Sequence, residues 1–169
     1  MVNLGWCPPA GLIDTATAIY NIRSQHDRIR ELLHRARAVA DAALDGNAPS
    51  PDAVASAIGD IHATMVVHSA FEEHALFAIH HDGLSLGLEH MKRLRDEHAR
   101  QRVILASLHR EAAVCPELPL LAAKLTFVTF WLMADMDEEE RTILTGATLA
   151  SASAPTDVCD STGATCVGK

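Results

Sequence analysis

Aromatic residues make up only 4% of this 169-residue chain, with a single Tyr, and strands draw heavily on such side chains. Extended structure is disfavoured from the outset. Lys and Arg together number 14 against 22 Asp and Glu, a formal net charge of −8. A nucleic-acid surface needs clustered cations that outweigh the neighbouring acids. That balance argues against nucleic acid and leaves small ligands or proteins as partners. Four cysteines lie far apart at Cys7, Cys115, Cys159 and Cys166 with no CxxC pair, so neither a zinc ribbon nor a thioredoxin-type motif is supported. Residues 1–12 hold no basic segment followed by an apolar run, and no later stretch reads as a membrane span. The expectation is a cytoplasmic protein with free thiols and no membrane partner.

Hydrophobic residues, chiefly Ala and Leu, make up 49%, a composition suited to helices. Turn signals at Gly46–Pro49, His81–Gly83 and Cys115–Pro116 cut the chain into four long segments. The first runs from about Leu12 to Asp45. In the second, Ser50 reads as an N-cap followed by Pro51 at the first helical position and Asp52 in the first turn. The third covers about Leu84 to Val114 and the fourth about Leu118 to Thr145. Short loops make successive helices antiparallel, so the expected fold is all-α: an up-down-up-down antiparallel four-helix bundle over residues 1–148. Residues 149–169 are rich in Ser, Thr, Ala and Gly without an apolar period and read as a flexible tail.

Ten His residues need an explanation. Each segment carries an apolar stripe at steps of three and four, and each stripe is interrupted by a titratable side chain. The stripes read Ile22, His26, Ile29, Leu33; then Ile61, Met65, His68, Glu72, Ala75; then Leu94, His98, Gln101, Leu105; then Val128, Leu132, Asp135, Glu139. Helices rise about 1.5 Å per residue, so positions can be reflected through the turns. His26 reflects to about position 70, between His68 and Glu72, and further reflections land beside His98 and Asp135. His26, His68, Glu72, His98, Asp135 and Glu139 are therefore expected in one layer. Three carboxylates in one core layer repel each other and resist dehydration. A hydrogen-bonded network could hold them, but two cations satisfy the set more simply. Imidazole and carboxylate without thiolate suit iron or manganese better than structural zinc.

The stretches Gln25-His26-Asp27-Arg28-Ile29-Arg30, His68 through Phe77 with Glu72-Glu73, Glu97-His98, and Glu139-Glu140 with Ile143-Leu144 resemble the hemerythrin-like family of HHE cation-binding domains over about residues 15–146. The resemblance implies two irons per chain with an oxo or hydroxo bridge, Glu72 and Glu139 bridging, and His26, His68 and His98 as terminal ligands. The family's fourth-helix pattern is HxxxE, and here Asp135 stands where its His is expected. The second third-helix His of the oxygen carriers is also missing, since Leu94 and Arg102 flank His98 at four residues either side.

Fewer imidazoles leave coordination positions open, and added anionic ligands favour ferric iron. The leading expectation is a di-iron protein that reacts with dioxygen or hydrogen peroxide, as an oxidase-like or peroxidase- or catalase-like oxidoreductase or on a small-molecule substrate. The alternatives are a sensing or oxygen-binding module that signals to a protein partner, and a metal-free helical interaction protein.

Overall fold

The computed structural model describes residues 14–46, 49–81, 88–114 and 117–144. Helix α1 spans Thr15–Leu44, α2 Pro51–His81, α3 Leu88–Ala113 and α4 Leu118–Glu139, and a π-helical turn, Glu140–Leu144, continues α4. No strand occurs among the described residues. The flexible tail expected at 149–169 and the domain boundary at 148 lie outside them.

Local chemistry accounts for the helix ends. Asp14 is extended and accepts from the Thr17 amide at 3.0 Å and the Thr17 hydroxyl at 2.6 Å, so α1 begins three residues later than its apolar pattern suggested. At its C-terminus the Asp45 N–H donates to the Asp41 carbonyl at 3.0 Å, and Gly46 then takes φ 75°. That left-handed position favours glycine. Ser50 caps α2, its hydroxyl accepting from the Ala53 amide at 3.3 Å.

Paired side chains give the helix directions. Along α2 and α3, Gly59 faces His109 while Glu73 faces His98; along α1 and α4, His26 faces Glu140 while Arg37 lies over Phe130, 4.4 Å from its ring centre. Gln101 and Asp135, with Glu111 and Lys124, set α3 against α4 in the same opposed sense. All three pairs are antiparallel. The result is the up-down-up-down bundle.

Two apolar clusters fill it. The larger includes Ile29, Leu33, Ile58, Ile61, Met65, Leu105, Leu125, Leu132 and Met136, and the smaller includes Ile22, Phe71, Leu76, Met91 and Leu94. Between them sits a layer of buried polar residues. Helix α4 also corrects a reading above, because Leu118–Thr142 is long and apolar enough, by composition alone, to cross a membrane. Leu121, Leu125, Val128 and Leu132 use one face of it in the core, while Leu120, Phe127 and Phe130 leave the outer face apolar as well. Helix α3 lies less close to α4 than the other neighbouring pairs lie to each other. The bundle is most open along that seam.

Candidate metal centre

His26 enters the polar layer from α1, His68 and Glu72 from α2, His98 from α3 and Glu139 from the last residue of α4. All five are buried, Glu139 being the most accessible at 6%. Each imidazole is oriented from outside. The Nδ1–H of His26 donates to Glu140 at 2.8 Å, that of His68 to the Gln25 side-chain oxygen at 3.0 Å, and that of His98 to Glu73 at 3.1 Å. An acceptor on Nδ1 fixes the proton there and turns Nε2 inward as a potential donor of its lone pair.

The inward atoms meet the two carboxylates in a divided pattern. Oε1 of Glu72 lies 4.0 Å from His26 Nε2, whereas Oε2 lies 3.2 Å from His68 Nε2 and 3.5 Å from His98 Nε2. Glu139 repeats the division, with Oε2 3.6 Å from His26 Nε2 and Oε1 3.5 Å from His98 Nε2. Each carboxylate therefore presents one oxygen to the His26 side and the other to the His98 side. Neither Glu72 oxygen, nor His26 Nε2, has an aligned hydrogen-bond partner. Buried polar atoms are rarely left so. Donor atoms from His26, His68, Glu72 and Glu139 all lie within 4.8 Å of one another. Atoms that point at a shared space rather than at each other fit a cation between them, and the nitrogen and oxygen donors suit iron or manganese.

Residues 17–146 match the family model of the hemerythrin HHE cation binding domain. The chain belongs to that family. No curated protein and no solved structure matches it.

Within this hemerythrin-like domain the electrostatics follow from crowding. Burial alone would lower the His98 pKa, but Glu139 and Glu72 outweigh it and raise the imidazole to about 10. Burial acts to raise the Glu72 pKa, yet the approaching His68 and His98 rings hold it well below the carboxylate range. Glu139 is pushed up to about 8 by burial and then by the Glu72 charge. Burial lowers the pKa of His26. A proton on His98 thus balances charge that a bound cation would balance instead, so cation binding should release protons.

Asp135 stands apart from the other five predicted residues. It is only partly buried where the other five are buried, and its Oδ2 accepts from the amide of Gln101; His98, like it, lies outside the group of four whose donor atoms share the 4.8 Å limit. Burial and the charge of Glu97 raise its pKa. Glu140 shows what the periodic reading missed. Its carboxylate reaches His26 from the residue immediately after Glu139, and the π turn that starts there changes the register of α4 at that point. Such turns often occur at functional sites. Gln25, Glu73 and Glu140 each adjoin an inward residue in sequence, a signal available to a reading that follows adjacent helix positions into the seams. Arg30 completes this outer layer, donating to Glu140 at 2.9 Å and Asp137 at 2.8 Å, and Arg102 donates to Glu73 at 3.0 Å.

Proposed function

We propose that this hemerythrin-like domain is a non-haem di-iron protein whose centre reacts with dioxygen or hydrogen peroxide. The observation that carries the reading is the division of Glu72 and Glu139, each with one oxygen toward His26 and the other toward His98. Two cations, one on each side, would use both carboxylates as bridges. His26, His68 and His98 are assigned as terminal ligands and Asp135 as a sixth donor, steadied by Gln101. Two irons held there would supply the electrons that reduce the oxidant.

The chain's own contribution is positional. Glu140, Gln25 and Glu73 keep three imidazoles in the ligating orientation, and Arg30 and Arg102 offset the acidic charge of that outer layer. The apolar clusters above and below keep bulk water from the layer. Oxygen donors outnumber imidazoles in the assigned set, a balance that favours the oxidised metal over reversible oxygen carriage.

The test is stopped-flow absorbance of iron-loaded, reduced protein mixed with air-saturated buffer or peroxide. Irreversible oxidation on mixing is expected. Recovery of the starting spectrum when oxygen is removed would overturn the oxidant-processing reading in favour of carriage.

A further inference from the structure

The seams around the polar layer are closed to different degrees. Gln25 meets His68 across α1–α2; Glu73 meets His98 and Arg102 across α2–α3; Arg30 ties Glu140 and Asp137 across α1–α4. Across α3–α4 the Gln101–Asp135 hydrogen bond closes the inner part of the seam. Beside it is a cavity of about 170 Å³ whose wall includes His90, Glu97, Asp135, Glu138, Glu139 and Thr142. Glu139 is both a member of the inward carboxylate pair and part of this wall. The cavity therefore connects solvent to the most exposed of the inward residues, Glu139 at 6%.

We propose that this α3–α4 cavity, with Asp135 and Glu139 on its wall, is the mouth through which a divalent cation enters the centre. The inference rests on the metal reading above. Behind the mouth are the orphaned atoms of Glu72 and His26, which give the cation its destination. Around it the wall holds the carboxylates of Glu97 and Glu138, together with the carboxyl groups of Asp135 and Glu139 that can ionise as a cation arrives, against the single guanidinium of Arg93. Arg100 pairs with Glu97 and Arg141 with Glu138, so these two charges are partly offset by guanidiniums that do not line the cavity. A cleft lined by one sign of charge raises the local concentration of the opposite ion and its rate of entry. Its small volume admits a cation with part of its water shell and excludes a bulky organic molecule.

The experiment follows uptake of Co²⁺ by the full, metal-free chain in a stopped-flow spectrophotometer, using the visible bands of bound cobalt. Glu138→Lys should slow uptake about tenfold at low salt, the low end of electrostatic steering effects, with the difference shrinking as salt rises. Thr142→Trp, which fills the mouth without changing charge, should slow uptake at every salt concentration. Both variants should reach the final stoichiometry of the unsubstituted protein, with helix content checked by circular dichroism. Ser107→Trp provides the control, because Ser107 lines a separate groove farther along α3–α4 with Ile104 and Phe127; its uptake rate should not change. Wild-type rates in both mouth variants, or an equal slowing by Ser107→Trp, would overturn the entry route while leaving the metal reading intact. An unsubstituted protein that never bound cobalt would overturn the metal reading and the route with it.

Discussion

Glu72→Met asks whether the buried carboxylate exists for a metal or for the fold. Glu72 is 0% exposed, its closest imidazole nitrogens lie at 3.2, 3.5 and 4.0 Å, and neither oxygen receives an aligned hydrogen bond. In the metal-free chain its dehydration is offset by the His68 and His98 rings, neither of which makes an aligned hydrogen bond to it. Met has a similar volume and fills core gaps flexibly. Replacing a poorly satisfied buried charge by an apolar group of like size is often neutral or stabilising by about 1–4 kcal/mol. A gain of about 2 kcal/mol in a chain of this size would raise the unfolding midpoint by roughly 4–8 °C. His98 would still face Glu139 at 3.5 Å, so the substitution does not strand it. The assay is thermal unfolding by circular dichroism, with chelator and again with iron. With chelator, Glu72→Met should melt at or above the unsubstituted protein. With iron the order should reverse, because only the unsubstituted chain gains ligand-linked stability, about 2.7 kcal/mol at a hundredfold excess over the dissociation constant. A variant destabilised by about 3–5 kcal/mol in chelator would match the breaking of a well-made buried ion pair. That result would refute the argument and make the layer structural.

Two further outcomes follow from other contacts. Glu73→Ala removes the acceptor that orients His98 and should weaken cobalt binding about 10–100-fold, as loss of an outer partner of a ligating His does; isothermal titration with unchanged affinity would show that Arg102 and Glu73 serve only the surface. Gly59→Ala should stabilise the bundle by about 0.5–1 kcal/mol through helix propensity, because the new Cβ would meet Cε1 of His109 at 3.2 Å and that exposed ring can swing aside. A lower melting midpoint would show that His109 is pinned.

What the sequence determined by itself was the number of helices and the faces they bury. Periodicity in α3 named Leu94, His98, Gln101 and Leu105, and all four are buried on that helix. Reflection through the turns put His26, His68, Glu72, His98, Asp135 and Glu139 at one depth, because antiparallel helices of equal rise keep register across a short turn. The later features depend on rotation about each helix axis and on the gaps between helices, which a stripe does not encode. Asp135 lies on the same stripe as Glu139, yet Gln101 holds it at the α3–α4 seam. A single π turn brings Glu140 to His26 although an unbroken α-helix was expected through Thr145. The cavity beside Glu139 lies along the α3–α4 seam, the most widely spaced of the neighbouring pairs. Helix spacing is settled by packing the side chains of all four helices at once, so only the tertiary structure decided which inward residue would face a way out to solvent.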